Sequence, residues 1–220
     1  MFKRVFVLFF LVTFSCEDYL DIVPDRTQEI SLLFNRRETA FNALANCYSY
    51  LPQKDDIYGS FVIASDELTT PIQKEPNSTK LMKGEQSVSN PKMSFWSGFS
   101  GGQYQGSLWE AIRSCNILMD NIDLVIDMEQ EEKNEWKAEA QFLKAYYHFL
   151  LLTYYGPIPI VDVNIPISAD DNEVRIERQP VDQVISYITQ TIDESVLNLP
   201  FRVTGSNDLG RVDQVLSLIH

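Results

Sequence analysis

Two acidic pairs, Asp66-Glu67 and Glu131-Glu132, are the residues that would first suggest catalysis. Glycoside hydrolysis needs two carboxylates about 5–9.5 Å apart that flank the scissile bond, and adjacent residues seldom meet this need. His148 lies in an apolar, aromatic stretch that is typical of a packed histidine, and no serine and aspartate complete a triad with it. We therefore predict that the chain is not an enzyme.

Metal and cofactor chemistry has equally little support. Asp162, Asp170 and Asp171 could contact calcium, but the spacing of an EF-hand is absent, and solvated charge is the preferred interpretation. The two histidines and three cysteines match no zinc motif, and no phosphate-binding pattern surrounds the glycines at 101 and 102. We expect no metal and no cofactor.

Cys16 has the clearest chemical signal. It follows a basic start and the apolar run 5–14, which at 1.5 Å per residue would span only about 15 Å of a bilayer core about 30 Å thick. Ser15 supplies the small residue that signal peptidases require before the cut. The sequence around Cys16 resembles a lipobox, in which the thiol receives acyl chains such as palmitate. A plain secretory signal is the alternative.

This interpretation divides the chain into four segments. We predict a signal peptide at 1–15, a lipidated leader at 16–34, a helical domain at 35–212 and a tail of uncertain origin at 213–220. The net charge is −13, with 18 basic and 31 acidic residues, which argues against nucleic acid as a partner. Hydrophobic residues make up 45% of the chain, enough for a packed core.

Apolar residues recur at three- and four-residue steps in four stretches, which predicts amphipathic helices. The predicted helices cover 36–51, 104–126, 131–155 and 180–199. Asn35 and Glu38 resemble a capping box at the first start. Residues 53–103 lack periodicity, apart from a candidate short helix at 61–67, and are interpreted as a functional loop region.

Each predicted helix has one stripe of apolar residues that we expect to be buried. The first stripe comprises Ala40, Phe41, Leu44, Cys47, Tyr48 and Leu51, and the fourth comprises Val181, Val184, Ile185, Ile188, Ile192 and Val196. Cys47 and Cys115 fall on apolar faces, where buried free thiols are the preferred interpretation and a disulfide is the alternative. Short connections favour a mostly α fold of stacked, TPR-like antiparallel hairpins.

Four stretches, in this order, resemble the SusD/RagB family of nutrient-binding outer-membrane lipoproteins of Bacteroidetes. They are SCEDYLDIVP at 15–24; WEAIRSCNIL at 109–118; AEAQFLKAYYHFLL at 138–151 with YGPIP at 155–159; and RQPVDQVI at 178–185 with LP at 199–200. Full members of that family are considerably longer, so the resemblance implies that this chain is an N-terminal fragment.

The resemblance implies a function as well as a fold. It implies a lipid-anchored protein on the cell outer membrane, exposed at the surface, that partners a SusC-like TonB-dependent transporter. Its ligand would be an oligosaccharide, which it would pass to the transporter for uptake. A peptide-importing relative of the same family and a TPR-like scaffold that binds only proteins are the alternatives.

The resemblance also suggests ligand-binding candidates. Asp66 and Glu67 resemble the acidic pair that opens a loop on the family's ligand face, and Thr70 lies in the stretch that follows. The aromatic platform of starch-binding members has no counterpart in residues 68–72. Trp96 is the preferred aromatic candidate, because sugar rings stack on aromatic faces. Further candidates for stacking are Tyr58, Phe99 and Tyr104. For all four aromatic residues, a structural role is the preferred interpretation and ligand binding is the alternative.

Overall fold

The computed structural model describes residues 34–52, 77–87, 89–92, 95–100, 103–104, 106–166, 168–206 and 208–217. These residues are mostly α-helical, as the sequence predicts. The elements are, in chain order, α1 (Arg37–Ser49), α2 (Asn77–Met82), β1 (Phe99–Ser100), β2 (Gln103–Tyr104), α3 (Leu108–Asn121), a 3-10 helix (Ile122–Leu124), α4 (Gln130–Tyr155), α5 (Asp171–Val174), α6 (Val181–Val196) and α7 (Gln214–Ser217).

The core lies between α1, α3 and α4. Helices α3 and α4 pack along each other as an antiparallel hairpin, α1 packs against both, and α6 packs against the long helix α4. This arrangement confirms the predicted class of stacked, TPR-like helical hairpins. The largest completely buried side chains in the described residues include Trp136, Tyr147, Phe34, Leu44, Ile112 and Leu118.

Helix α1 begins differently from the prediction. Arg36, not Asn35, occupies the cap position, and its side chain makes no capping hydrogen bond. The first turn is tied to another part of the chain instead, because the backbone N–H of Arg37 donates to Asp127 at 2.6 Å. The predicted capping box is therefore wrong. Phe41 is also 45% exposed rather than buried, and its ring centroid lies 5.7 Å from that of Trp136.

Helix α3 begins at Leu108, four residues later than predicted. Ser107 caps it: the side-chain oxygen accepts from the backbone N–H of Trp109 at 3.2 Å and donates to the carbonyl of Trp96 at 2.7 Å. Serine at this position satisfies one of the unpaired N–H groups of the first turn. The predicted extension to 126 is divided in the structure between the end of α3 and the 3-10 helix that follows.

Helix α4 matches its prediction to within one residue. Glu131 and Glu132 lie in its first turn, where carboxylates interact favourably with the helix dipole. Its C-terminal cap is Gly156, with φ of +68°, a conformation that disfavours residues with a side chain. Pro157 follows and prevents any continuation of the helix.

Helix α6 buries a narrower stripe than predicted. Val184 and Ile188 are buried, but Val181 and Ile185 are 42% and 49% exposed, so their predicted burial is wrong. Among the described residues α6 packs chiefly against α4, and a single neighbouring helix covers only part of an amphipathic face. The remaining buried positions are Thr191 and Ser195, whose hydroxyls bond to backbone carbonyls of the same helix.

The segment predicted to be irregular contains some regular structure. Helix α2 falls within 53–103, and the antiparallel pair β1–β2, in which Phe99 pairs with Tyr104, extends one residue beyond it. The candidate helix at 61–67 lies outside the described residues. No helix in the described part of the chain has the length and apolarity needed to cross a bilayer.

Candidate functional site

A cavity of about 420 Å³ lies where the start of α3 faces the linker between α4 and α6. Its walls are two indole rings, several aliphatic side chains, one guanidinium and one carboxamide. The lining residues are Trp96, Trp109, Arg113, Pro159, Val161, Val163, Asn164, Ile165, Val174 and Ile176. A concave, largely apolar site with few polar groups is the usual form of a small-molecule pocket.

Trp96 is the one predicted ligand residue whose side chain the structure describes, and it lines this cavity. Its ring contacts Trp109 and Tyr155 edge-on, with centroids 5.0 and 5.3 Å apart, and the guanidinium of Arg178 lies 4.8 Å from its centroid. The aromatic contacts and the cation fix the indole. Trp96 therefore has a packing role in addition to its place in the cavity wall.

The polar part of the wall comes from Arg113 and Asn164. One guanidinium nitrogen of Arg113 (Nη1) donates to the carbonyl of Ile165 at 2.7 Å, which fixes the linker to α3. The side-chain Oδ1 of Asn164 is buried, and no donor in the described residues reaches it. A buried acceptor without a partner is costly, so this oxygen lowers the stability of this part of the linker.

A polar cluster behind the cavity holds the linker in place. The ammonium of Lys144, buried in α4, pairs with Asp162 at 2.8 Å, and the hydroxyl of Tyr187 donates to the same carboxylate at 2.8 Å. Burial raises the pKa of Asp162, but the hydrogen bonds from Lys144 and Tyr187 outweigh it and hold that pKa below its ordinary value. Asp162, proposed above as a possible calcium contact, is thus engaged by side chains of the protein.

His148 completes this cluster. Its Nε2 accepts from the backbone N–H of Val161 at 3.2 Å, and its Nδ1 lies 2.8 Å from the carbonyl of Lys144. These partners require a neutral ring with the proton on Nδ1. Burial lowers the pKa of His148 to about 4. The structure therefore agrees with the interpretation of His148 as a packed histidine.

A second charged cluster fixes the segment before α7. The guanidinium of Arg211 bonds to both carboxylate oxygens of Glu139, which is buried in α4, and to Asp208 at 3.0 Å. Tyr48 donates its hydroxyl proton to Glu139 and accepts from the backbone N–H of Val212. Sequence reasoning missed this cluster, although a glutamate between the alanines of an apolar stretch was a signal that it needed a partner.

The other predicted site residues are accounted for as follows. Cys16, Asp66, Glu67 and Thr70 lie outside the described residues, as does Tyr58. The side chains of Phe99 and Tyr104 lie outside them too, although both residues belong to the β1–β2 pair.

Two further acidic residues weighed for calcium or catalysis, Asp170 and Glu132, have structural partners. Asp170 caps α5 by accepting from the backbone N–H groups of Asn172 and Glu173 at 2.8 and 3.0 Å. Glu132 accepts from Arg37 at 2.6 Å. In the described parts of the chain, no three His, Cys, Asp or Glu side chains are grouped so that they could hold a metal ion.

Comparison with known families identifies the chain. The SusD-like family, described as starch-binding and associating with the outer membrane, matches residues 18–206. This chain belongs to the SusD-like family. The matched region includes every helix from α1 to α6, the cavity and the linker that forms its wall. Comparison with curated protein sequences gives no significant match.

Solved structures of SusD-like proteins share the fold. A laminarin-binding SusD-like protein is 16% identical to this chain, with a TM-score of 0.65. The match covers 82% of this chain and 38% of the laminarin-binding protein. Surface glycan-binding protein A from Bacteroides uniformis is 21% identical with a TM-score of 0.65, covering 82% and 39%. The protein of that name from Bacteroides thetaiotaomicron is 16% identical with a TM-score of 0.63, covering 84% and 37%. The chain thus spans about two-fifths of the length of these relatives.

Proposed function

We propose that the protein is a cell-surface lipoprotein, anchored through acylated Cys16, that binds oligosaccharides for uptake by a SusC-like TonB-dependent transporter. The observation that carries this proposal is the family match over residues 18–206, which joins a description of starch binding to one of outer-membrane association. The lipobox-like sequence at Cys16 supplies the anchor, since two or more acyl chains hold a protein firmly at a membrane surface.

Binding rather than catalysis is also supported by how the acidic side chains of the helical body are used. Glu139 and Asp162 are each held by a buried or half-buried cation, Arg211 and Lys144 respectively. Carboxylates that are held in this way fix the fold, whereas a glycosidase needs a carboxylic acid and a carboxylate that face the substrate. Asp66, Glu67 and Thr70, in the segment between α1 and α2, remain our proposed ligand contacts, together with Trp96.

Membrane anchoring can be tested in cells grown with an alkyne analogue of palmitate. We expect the wild-type protein to be labelled and to be cleaved by protease added outside intact cells. A Cys16→Ala variant should lose the label and remain uncleaved as a periplasmic or precursor form. An unlabelled wild-type protein that is confined to the cytoplasm would contradict the proposed anchor and location.

Ligand binding needs its own experiment with the purified chain from Cys16 onward. Calorimetric titration with maltoheptaose and with laminarihexaose should give saturable binding to at least one of the two. The Asp66→Ala/Glu67→Ala double variant should bind at least about 10-fold more weakly, because sugar hydroxyls would lose two charged acceptors. As matched control, the exposed helix-start acid Glu131 is replaced by alanine, and binding should be unchanged.

The transporter partnership is tested by affinity purification of the tagged protein from detergent-solubilised outer membranes. Recovery of a TonB-dependent transporter supports the proposal. Binding of peptides in place of both oligosaccharides would favour a peptide-importing relative. Recovery of other protein partners with no small ligand would favour the scaffold.

A further inference from the structure

The cavity between α3 and the linker combines an apolar wall with positive charge. Two indoles and six aliphatic or proline side chains form most of the wall in the described structure, and Arg113 is the one charged residue that lines it there. A second guanidinium, that of Arg178, lies 4.8 Å from the ring centroid of Trp96, one of the two lining indoles. Two cations therefore lie in or next to a wall that is otherwise largely apolar.

Neither arginine forms an ion pair within the described residues. The cations of the ion pairs there are Arg37, Lys137, Lys144 and Arg211. The Nη1 of Arg113 donates to the carbonyl of Ile165, and that of Arg178 donates to a second linker carbonyl. An arginine has five N–H donors, so each guanidinium keeps further donors for an anion. In a chain with 31 acidic and 18 basic residues, such a pair of cations beside one cavity favours an anionic ligand there.

We propose that this cavity binds a small aromatic carboxylate. The carboxylate accepts charge-assisted hydrogen bonds from the remaining N–H groups of Arg113, and the ring lies against the indoles and aliphatic side chains of the wall. A rigid ring loses less conformational freedom on binding than an alkyl chain of similar size. The volume of about 420 Å³ falls within the usual range for small-molecule pockets. The site shares Trp96 with the proposed oligosaccharide contacts, but it depends on Arg113, which those contacts do not include.

The test uses three probes that separate the contribution of the charge from that of the ring. 4-Propylbenzoate has both, 4-propylbenzamide has the same ring with a neutral end, and octanoate has the charge on a flexible chain. Binding to the purified chain from Cys16 onward is measured by calorimetry and by ligand-observed NMR at neutral pH. We expect saturable binding of 4-propylbenzoate and about 10-fold weaker binding of 4-propylbenzamide, the usual effect of one charge-assisted contact. Octanoate should bind at least about 3-fold more weakly, because its chain must be ordered.

Replacing Arg113 tests the assigned ion pair directly. Arg113→Met keeps most of the apolar stem and removes the charge, so the preference for 4-propylbenzoate over 4-propylbenzamide should disappear. The matched control is Arg36→Met, at an exposed arginine that precedes α1 and lies outside the cavity. It changes the net charge by the same amount and should bind both probes like the wild type. A preference that persists in Arg113→Met, or that is lost equally in Arg36→Met, refutes the ion pair.

A second pair of variants keeps the site testable if Arg113→Met unfolds, since that variant also loses the bond to the linker. Val174→Trp places a large ring at the rim, where Val174 is 57% exposed, and should abolish binding of 4-propylbenzoate with an unchanged urea midpoint of unfolding. Its control is Ile185→Trp, 49% exposed on α6 and outside the cavity, which should bind like the wild type.

Three results would overturn the proposal of an aromatic carboxylate site. They are equal binding of 4-propylbenzoate by Val174→Trp and Ile185→Trp, absence of saturable binding to the wild type, and binding of octanoate as tight as that of 4-propylbenzoate. None of them affects the oligosaccharide titration, which depends on Asp66 and Glu67. Failure of that titration likewise leaves the carboxylate measurements unaffected.

Discussion

The ion pair between Arg211 and Glu139 allows a quantitative test of how the C-terminal segment is held on the helical body. Glu139 projects from α4 into the protein with its side chain 1% exposed, and Arg211 covers it with a side chain that is 20% exposed. Replacing Arg211 by methionine keeps most of the apolar stem and removes the charge. Within the described residues, the carboxylate of Glu139 then retains the hydroxyl of Tyr48 as its hydrogen-bond partner.

The expected loss follows from the burial of that carboxylate. Removing one partner of a buried pair costs about 3–5 kcal/mol, because the other charge stays buried without compensation. Domains of this kind have total stabilities of about 5–15 kcal/mol, so the loss is a large fraction of the whole. With a urea slope of about 2–3 kcal/mol per molar, the midpoint of unfolding should fall by about 1–2.5 M.

The assay is urea unfolding followed by far-ultraviolet circular dichroism. The matched control is Arg37→Met, which breaks a surface ion pair with Glu132. Glu132 lies on α4, like Glu139, and the loss of this exposed pair should cost less than about 1 kcal/mol. The double variant Arg211→Met/Glu139→Gln should lose much less than the sum of the single losses, since neutral glutamine needs no cation. Additive losses, or equal costs for Arg211→Met and Arg37→Met, would refute the assignment of a buried, coupled pair.

Three further predictions test the elements around the cavity. The pKa of His148 is lowered from 6.5 to about 4 in the folded state, so protonation of this residue favours unfolding. The thermal unfolding temperature, measured at several pH values, should therefore be highest above pH 6.5 and fall as the pH drops towards 4. It should fall less steeply in His148→Gln. Ser107→Ala removes the cap of α3 and should cost about 0.5–2 kcal/mol in urea unfolding, with a change in the tryptophan fluorescence of Trp96; an unchanged midpoint would contradict the cap. Gly156→Ala forces a side chain into φ of +68° and should cost about 1–3 kcal/mol by the same assay, although no neighbouring atom obstructs the new Cβ; neutrality would contradict the strain.

Much of the helical framework could be predicted from local sequence. The apolar stripe of α4 contains Trp136, Leu143 and Tyr147, all buried, and its start and end are marked by acidic residues and by Gly156. Such features are encoded within one or two turns of the helix, so sequence periodicity detects them. The same pattern overestimated the burial of Ile185, because periodicity identifies an apolar face but not how many neighbours cover it.

The cavity and the charged clusters could not be predicted in the same way. Arg211 and Glu139 are separated by 72 residues, and Arg113 reaches a carbonyl 52 residues away. No local pattern specifies such partners, because they depend on how the helices pack. Trp96 was identified from its residue type alone, and only the packing of the linker against α3 placed it in a cavity wall with Asn164.

The polar residues that interrupt apolar helix faces do indicate where non-helical chain will pack. Lys144 and His148 are four residues apart on α4, so they lie on the same face, and both are buried. Each bonds to the linker: Lys144 Nζ donates to the carbonyl of Asp162, and His148 Nε2 accepts from the N–H of Val161. A linker without periodicity has backbone groups that no helix or sheet satisfies, and buried polar side chains of the helix provide the missing partners. The position of the linker, which forms part of the cavity wall, is thus set by side chains of α4 rather than by the linker itself.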